Sequence, residues 1–247
     1  MLDQITPLIL TRNEAPNIAR TLGQLRWAAE IVVVDSVSDD DTAAIARSFP
    51  NVRVVERPFD SHAAQWQFGV EQVRTPWVLT LDADYFVPDA AVRELAALAP
   101  PPGVAAYEAR FRYAIDGRPL RAALYPPRPV LLRIGAFEIY QDGHTQRVRV
   151  QGRTEPLREA LIHDDRKSWE RFVERQRAYA RAEAEKLRGG EAQGFVNRLR
   201  KLRSVAPFAV LAHTLFVKGL VLDGRAGWRY AKERFVAEWL LLRELWR

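Results

Sequence analysis

The sequence contains no cysteine and no long apolar run at its start, and both absences narrow the functions it can have. Without thiols the chain cannot form a disulfide scaffold, a zinc–thiolate site, an iron–sulfur cluster or a cysteine nucleophile. Residues 1–10 have no basic segment ahead of an apolar run, so we expect no secretory signal and a cytoplasmic location. With 48% hydrophobic and 28% charged residues over 247 positions, the composition is typical of a globular protein.

Lysine is absent from the first two thirds of the chain. Residues 1–165 contain 18 Arg, no Lys and 22 acidic residues, whereas residues 166–247 contain 19 basic and 9 acidic residues. This asymmetry predicts an acidic domain over 1–165 and a basic extension over 166–247, each with its own task. A basic extension can face nucleic acid, anionic lipid or solvent, and its charge alone does not decide among them.

Short apolar runs alternate with helical periodicity over the first hundred residues. The pattern predicts strands at 7–10, 31–35, 52–55 and 77–82, and helices at 14–26, 38–49 (capped by Ser38 and Asp39), 61–73 and 88–98. Such alternation predicts an α/β fold with a mainly parallel sheet, whose ligands bind beyond the carboxyl ends of the strands. After residue 100 the pattern becomes more antiparallel, and 168–188 is predicted to be a charged helix.

Three aspartates stand at predicted strand ends. Asp35 ends one strand, and Asp82 and Asp84 follow another, separated by Ala83. Two carboxylates in this spacing can share a hard divalent cation, which would neutralise a departing nucleoside diphosphate. An isolated Asp-x-Asp is common in surface turns, but its position after a buried-type strand favours the functional interpretation. We expect the Asp84 carboxylate to be exposed.

Three motifs in sequence order strengthen this interpretation: Thr11-Arg12-Asn13-Glu14, Val32-Val33-Val34-Asp35-Ser36 with Asp40 and Thr42, and Leu81-Asp82-Ala83-Asp84. Together they resemble the family 2 inverting glycosyltransferases of the GT-A fold. The stretches 140–146 and 162–165 resemble the bacterial branch of that family that adds sugars to lipopolysaccharide core or related glycans. The resemblance implies a Rossmann-like, mainly parallel sheet flanked by helices, here followed by a C-terminal helical extension.

The resemblance also implies a nucleotide-sugar donor, usually a uridine diphosphate sugar, together with Mg²⁺ or Mn²⁺. Donor binding would fall to eight residues: Thr11, Asn13, Glu14, Asp35, Asp40, Gln67, Asp82 and Ala83. Among them, Asp35 would meet the uracil or ribose. The metal would be held by Asp82, directly or through water, by Asp84, and by His163 as a third ligand.

The sequence departs from the family pattern at three places. Val37 stands where the family usually has glycine after Asp-Ser, and Tyr85 stands where many relatives carry Glu. After Gln65, a frequent Lys-Asn pair is replaced by Trp66-Gln67. These departures concern the contacts to base and diphosphate and leave the predicted fold intact.

An inverting transfer requires a base for the acceptor hydroxyl. Asp142 and His144 follow a predicted strand on either side of Gly143, and we favour Asp142 over His144. Glu138 and Glu155 are weaker candidates. The alternative is an ordinary Asp-Gly hairpin turn with a solvated histidine.

The basic extension is also amphipathic. Residues 195–205 place aliphatic side chains on one helical face and basic ones elsewhere, and 207–222 is apolar but shorter than the roughly 20 residues that span a bilayer. The final segment has an apolar stripe of Trp228, Phe235, Trp239, Leu242 and Trp246. These patterns predict binding to an anionic membrane surface. The alternative is packing on the first domain or on a second subunit, and nucleic-acid binding is disfavoured because no known motif is present.

The leading hypothesis is therefore a metal-dependent inverting glycosyltransferase, peripheral on the inner face of the cell membrane, with a glycolipid or lipopolysaccharide-core acceptor. A sugar nucleotidyltransferase is less favoured, because residues 11–14 contain no glycine for a phosphate loop. A membrane-associated assembly protein that has kept the fold without activity is the second alternative.

Overall fold

The computed structural model describes residues 1–122, 125–142, 145–188 and 205–246, which form two compact units. The first unit contains Met1–Arg112 and Tyr125–Arg166, and the second contains Tyr113–Leu124 and Lys167–Arg247. The longer segment of the second unit starts at Lys167, next to the boundary proposed at residue 166, and its shorter segment comes from the stretch assigned to the first domain in the sequence analysis.

The first unit is built on a seven-stranded sheet. The strands of the protein are β1 (Ile5–Thr11), β2 (Ile31–Asp35), β3 (Val52–Glu56), β4 (Trp77–Asp82), β5 (Tyr85–Phe86), β6 (Val104–Ala109), β7 (Phe111–Ile115), β8 (Arg118–Pro119), β9 (Arg128–Arg133), β10 (Phe137–Asp142), β11 (Thr145–Val150), β12 (Arg153–Pro156) and β13 (Leu161–His163). The helices are α1 (Ile18–Gly23), α2 (Thr42–Arg47), α3 (His62–Glu71), α4 (Asp89–Ala97), α5 (Trp169–Arg188), α6 (Ala206–Ala212) and α7 (Gly224–Leu245). Short 3-10 segments cover Leu2–Gln4 and Leu220–Asp223, and a π-helical turn covers His213–Val217.

The sheet order is β12-β6-β9-β4-β1-β2-β3, and the strands β3, β2, β1 and β4 run parallel. Strand β9 is antiparallel to both β4 and β6, while β12 is parallel to β6. From β1 the chain continues to β2 and β3 on one side, and β4 lies on the other side. The order thus reverses between β1 and β4, which is where open α/β sheets bind ligands. The predicted mainly parallel α/β fold is confirmed.

Both faces of the sheet are buried at β2, which explains why this strand is apolar up to its final aspartate. In β2, Ile31 and Val33 point into one core and Val32 and Val34 into the other. The second core is closed by α3, where a Cβ on Gly69 would lie 2.7 Å from a methyl group of Leu8. Glycine at this position therefore lets α3 pack closely on β1.

Two predicted helix starts are wrong, and the reason lies in the loops that precede them. Helix α1 begins at Ile18 rather than at residue 14, and α2 begins at Thr42 with Asp41 as its N-cap. The Ser38 side chain, expected to cap a helix, bonds instead to Asp35 at the end of β2. Side chains and amides of both loops bond to each other instead, as between the Asn13 amide and the Ser38 hydroxyl, and the regular helices begin only after these contacts.

The described part of the second unit contains helices α5, α6 and α7 together with the hairpin of β7 and β8. The hairpin of β7 and β8 places Ile115 and Leu120 in a cluster with Leu220 and Tyr230. Helix α5 lies where the charged helix was predicted. It packs on α7 through a cluster formed by three of its own side chains and two of α7: Ala180, Ala184 and Leu187, with Leu240 and Leu241.

The predicted aromatic stripe on the final helix is only partly exposed. Trp228, Trp239 and Trp246 are exposed, but Leu242 is buried. The predicted basic face at 198–203 lies outside the described residues. Within the described part of the chain, no single helix is long and apolar enough to cross a membrane, although the pair Ala206–Val217 and Leu220–Leu245, bent by 73°, meets the length and composition test together.

Candidate active site

The carboxyl ends of β1, β2 and β4 are in register at one edge of the sheet. Thr11 is the neighbour of Asp35, and Leu10 is the neighbour of Asp82. The loops that follow these strands therefore start side by side, and they carry most of the predicted donor-binding residues.

Asp35 organises the first of these loops from inside the protein. Its Oδ1 accepts hydrogen bonds from the hydroxyls of Thr11 (2.8 Å) and Ser38 (2.6 Å), and its Oδ2 accepts one from the Ser38 amide (2.8 Å). The residue is only 1% exposed. These bonds hold the loop after β2 against the end of β1, and contact of Asp35 with a uracil or ribose stays a prediction.

Asn13 links the two loops. Its backbone amide donates to the Ser38 hydroxyl at 2.9 Å, and its side-chain oxygen accepts from the Asp39 backbone amide at 3.0 Å. Asn13 has a φ of 56°, in the left-handed region that asparagine tolerates better than most residues. Its residue type is thus explained by the loop conformation, independently of any nucleotide contact.

Glu14 and Asp40 belong to the same set of bonds. The Glu14 amide donates to the Thr42 hydroxyl at 2.7 Å, and the Thr42 amide donates to Asp40 Oδ1 at 3.0 Å. The structure therefore brings together the predicted residues of both motifs. Their shared task in this arrangement is to fix the loops that border the switch point.

Val37 lies at the tip of the second loop with a φ of 56°. A β-branched side chain in the left-handed region is strained, whereas glycine is not. This explains why the family pattern has glycine here. The surrounding loop holds the backbone of Val37 in a conformation that valine disfavours.

Gln67 is not brought to the loops. It lies on the exposed face of α3, 3.5 Å from Glu71 one turn further along. Gln65, two positions earlier, is fully buried and donates to the Ser36 hydroxyl and the Arg57 carbonyl, both at 2.9 Å. Two positions along a helix correspond to about 200° of rotation, so only one of the two glutamines can face the sheet edge.

The turn after β4 is held by Thr21 of α1. The Thr21 hydroxyl lies 2.6 Å from the Ala83 carbonyl oxygen and 2.8 Å from that of Tyr85, and it is fully buried. The Ala83 side chain points into the core. Ala83 thus contributes a buried anchor between the two aspartates, and the predicted donor contact at this residue stays a prediction.

Asp84 and His163 form the central pair of the site. The His163 Nε2 lies 2.9 Å from Asp84 Oδ2, although the residues are 79 positions apart in sequence. Strand β13 delivers the histidine by pairing with β5, where His163 is the neighbour of Tyr85. The expectation that Asp84 is exposed is wrong: it is 6% exposed, because β13 covers it.

The environment of this pair favours a protonated imidazole. Burial alone would lower the pKa of His163, but the charge and hydrogen bond of Asp84 outweigh it, and the pKa is raised above its ordinary value. Next to it, burial raises the pKa of Tyr85 well above its ordinary value, so this phenol stays neutral.

Asp82 is more exposed than the pair. Its side chain is 45% exposed, and its Oδ2 lies 3.8 Å from the Arg128 guanidinium. In the ranges that the structure describes, no three His, Asp or Glu side chains are arranged to hold a metal ion together. The buried carboxylate and imidazole of Asp84 and His163 are donors that fit Mn²⁺ or Mg²⁺ as two protein ligands, with phosphate oxygens and water for the other positions. The role of Asp82 in metal binding stays a prediction.

The sequence analysis did not predict the contacts that hold the segment after His163. We call these contacts the clamp. Arg20 of α1 contacts the Asp164 carboxylate and donates to its carbonyl at 2.5 Å, and Arg166 Nε donates to the same carboxylate at 3.0 Å. Asn17 donates to Asp165 at 3.2 Å. The only hint in the sequence was the pair of acids that follows the histidine. Two adjacent carboxylates predict a cationic partner, but they do not indicate which arginine it is.

Asp142 ends β10, and its carboxylate contacts the guanidinium of Arg147 on β11. The preceding residue, Gln141, accepts a hydrogen bond from the Ala63 amide at 3.0 Å, which places the end of this strand at the start of α3. His144 lies outside the described residues. The choice between Asp142 and His144 as base stays a prediction, and Asp142 can act as a base only if its contact with Arg147 opens or shifts.

The model of Glycosyl transferase family 2 matches residues 8–166, from β1 to the end of the clamp. The chain belongs to glycosyl transferase family 2. The match ends at the boundary of the first unit, so the family assignment rests on the sheet and the loops described above.

Among its relatives, this family 2 chain is similar to two bacterial proteins. It is 37% identical over 95 residues to the lipopolysaccharide core biosynthesis glycosyltransferase LpsC of Rhizobium meliloti (strain 1021), covering 37% of this chain and 35% of that protein. It is 36% identical over 84 residues to an uncharacterized glycosyltransferase of Rickettsia felis, covering 34% of this chain and 29% of the other. The matched stretches span about a third of each relative's length.

Solved structures establish the fold of this family 2 member as GT-A. The mannosyltransferase PcManGT of Pyrobaculum calidifontis, in complex with GDP-Man and Mn²⁺, matches with a TM-score of 0.55 at 16% identity, covering 98% of this chain and 87% of its own. The mannosyl-3-phosphoglycerate synthase of Rubrobacter xylanophilus matches with a TM-score of 0.51 at 18% identity, covering 78% and 76%. At these identities the likeness concerns the fold alone.

Proposed function

We propose that this family 2 protein is a metal-dependent inverting glycosyltransferase. It transfers a sugar from a nucleoside diphosphate donor, a UDP-sugar, to a glycolipid or lipopolysaccharide-core acceptor. The observation that carries the proposal is the buried Asp84–His163 pair at the carboxyl edge of β4, beside the switch point of the sheet. The name of LpsC, a lipopolysaccharide core biosynthesis glycosyltransferase, supports the acceptor, and the GDP-Man and Mn²⁺ of PcManGT support the donor class and metal.

Asp84 and His163 are the residues that would hold the divalent metal. When bound, such a metal neutralises negative charge on the leaving diphosphate. Its binding requires His163 to give up its proton, since only neutral imidazole is a ligand. The loops fixed by Asp35, Asn13 and Asp40 border the same edge and provide a rigid surface for the nucleotide.

The transfer itself is a displacement at the anomeric carbon. The acceptor hydroxyl oxygen forms the new bond to that carbon on the face opposite the diphosphate, and the old carbon–oxygen bond breaks with its electron pair passing to the diphosphate. The hydroxyl proton passes to a base, for which we propose Asp142, with His144 as the alternative. Arg147 holds the Asp142 carboxylate before the acceptor arrives.

A binding experiment followed by an activity assay tests the proposal. The full chain is screened by thermal shift against UDP-sugars and GDP-mannose with and without Mn²⁺, since a bound ligand raises the melting temperature by mass action. Release of nucleoside diphosphate is then measured for the unmodified protein and for Asp84→Asn. The matched control is Asp89→Asn, an exposed carboxylate in the first turn of α4.

We expect Asp84→Asn to abolish release while its far-UV spectrum stays unchanged, and Asp89→Asn to behave as the unmodified protein. If no nucleotide sugar shifts the melting temperature and none is consumed, the chain has the fold without the activity. If Asp84→Asn retains full activity in EDTA, the metal assignment is wrong.

We also propose that the second unit binds the inner face of the cell membrane. Three apolar side chains at the corner between its last helical segments are largely exposed: Phe216 (69%), Val217 (73%) and Leu222 (68%). The basic side chains of Lys218 and Arg225 lie in the same segments. Exposed apolar side chains beside basic ones suit the headgroup region of an anionic leaflet.

The three corner side chains would supply an attachment that salt does not screen. Burying a large aliphatic or aromatic side chain contributes about 1.5–3 kcal/mol, so losing two of the three should weaken binding by roughly 100-fold or more. Phe216→Ser with Val217→Ser should therefore release the protein from anionic liposomes in a sedimentation assay. Substituting the half-exposed Val37 of the first unit by Ser is the control. Unchanged sedimentation of the double variant, or no binding by the unmodified protein at low salt, would contradict the proposal.

A further inference from the structure

Arg128 occupies an unusual position beside the candidate metal site. It begins β9, and because β9 runs antiparallel to β4, its amino end lies at the edge where β4 ends. Its guanidinium lies 3.8 Å from Asp82 Oδ2 and donates a hydrogen bond to the Tyr85 hydroxyl. The sequence analysis singled out both of these contacts, Asp82 and Tyr85, but not Arg128 itself.

Two aromatic rings hold the Arg128 guanidinium in place. Its central carbon lies 5.4 Å from the ring centroid of Phe111 and 5.2 Å from that of Tyr125. Cation–π contacts of this kind orient the planar group without using up its hydrogen-bond donors. The side chain is still 35% exposed, so a ligand can reach the guanidinium.

A cation at this place conflicts with a metal on Asp82. A divalent ion and a guanidinium that share one carboxylate repel each other, and the repulsion is largest when no other anion is present. A diphosphate resolves the conflict, because it has several anionic oxygens and can take the metal on one side and the guanidinium on another. Arginine suits this task because its fork matches phosphate oxygens.

We infer that Arg128 is a binding residue for the diphosphate of the donor, and that it exchanges Asp82 for phosphate oxygens when the donor binds. The inference rests on the proposed function. It makes metal binding depend on the diphosphate: before the donor arrives, Arg128 competes with the metal for Asp82, and afterwards both cations contact the same anion.

The test measures ligand binding to the full chain by calorimetry and does not depend on turnover. The ligands are Mn²⁺ alone and then, with Mn²⁺ present, UDP, GDP and uridine. The variant is Arg128→Gln, and Arg128→Lys keeps the charge without the planar fork. The matched control is Arg133→Gln, since Arg133 is the exposed arginine at the opposite end of β9, paired with the first residue of β4.

We expect Arg128→Gln to weaken binding of the preferred diphosphate by about 10- to 100-fold, the effect of losing charge-assisted hydrogen bonds, and to leave uridine binding unchanged. The affinity for Mn²⁺ alone should rise by about 3- to 10-fold, because the competing cation is gone. Arg128→Lys should fall between, and Arg133→Gln should change nothing.

The outcomes separate this inference from the proposed function. If the unmodified protein binds neither UDP nor GDP, both are overturned. If it binds one of them and Arg128→Gln binds it equally well, only the role of Arg128 is overturned. A variant that loses uridine and diphosphate binding alike would show a general disturbance of the site, and it would also overturn the assignment to the diphosphate. Melting temperatures of all variants establish that they are folded.

Discussion

Replacing Thr21 with valine should destabilise the first unit, although valine has nearly the same shape and is more apolar. The Thr21 hydroxyl is fully buried and lies 2.6 and 2.8 Å from the carbonyl oxygens of Ala83 and Tyr85. Valine would leave these carbonyls facing a methyl group with no donor. The same change would loosen the turn that carries Asp84.

The size of the effect follows from the burial. Losing a buried donor while its acceptor stays in place costs about 1–3 kcal/mol. For a protein of this size, 1 kcal/mol corresponds to roughly 2–4 °C in melting temperature, so we expect a decrease of about 2–12 °C. Thr21→Ser keeps the hydroxyl and loses only one methyl group, which costs roughly 0.8 kcal/mol plus any cavity term.

Urea denaturation and thermal melting of Thr21→Val and Thr21→Ser measure this difference. The hydrogen-bond argument requires the serine variant to be the more stable of the two, whereas burial of apolar surface alone requires the reverse order. If the valine variant is as stable as the unmodified protein, the reasoning about the turn is wrong. A binding assay with Mn²⁺ shows whether the loosened turn also weakens the metal site.

Three further predictions concern the loops, the base and one surface ion pair. Val37→Gly should be more stable than Val37→Ala by about 0.5–1 kcal/mol in urea denaturation, because alanine keeps the strained left-handed conformation and glycine does not. Asp142→Asn should lower kcat by roughly 10²–10⁴-fold with little change in donor affinity, and the assignment is reversed if His144→Ala does so instead. The Arg53 hydrogen bond lowers the pKa of Glu30 below 4.5 in the folded state, so its stabilising effect is present above that value and is lost as the pH falls through the lowered pKa. Compared with Glu30→Gln, the unmodified protein should gain at most about 0.2–1 kcal/mol at pH 7, since the pair is a third exposed, and the gain should vanish in denaturation measured at acidic pH.

The four parallel strands β1 to β4 were predictable because local sequence determines them. Continuous apolar runs such as Ile31–Asp35 and Trp77–Asp82 have only one stable place, inside a sheet that is covered on both faces. The acid at the end of each run also marked the correct edge of the sheet. The alternation with helices predicted a mainly parallel sheet, so these acids were expected at one edge without any knowledge of side-chain contacts.

The partners within the site were not predictable, because they depend on residues far apart in the chain. His163 reaches Asp84 only after β13 has paired with β5, and Arg128 reaches Asp82 only through the antiparallel insertion of β9. Helical periodicity also misjudged Leu242, which shares a stripe with exposed tryptophans but is buried. A stripe on one helix does not say where a neighbouring helix covers it.

The second unit is discontinuous in sequence, and this has a consequence for how the protein can be divided. The chain leaves the first unit within β7, forms the hairpin of β7 and β8, belongs to the first unit again from Tyr125, and leaves it after Arg166. A cut after Arg166 therefore does not excise an independent domain: the remaining piece would keep Ile115 and Leu120 but lose Leu220 and Tyr230, their partners in the apolar cluster. If such a truncated chain is insoluble, the cause would be the exposed apolar side chains of the hairpin. It would not show that the sheet of the first unit is unstable. Removing the hairpin in the same deletion, with a short link in its place, is the division that the topology allows.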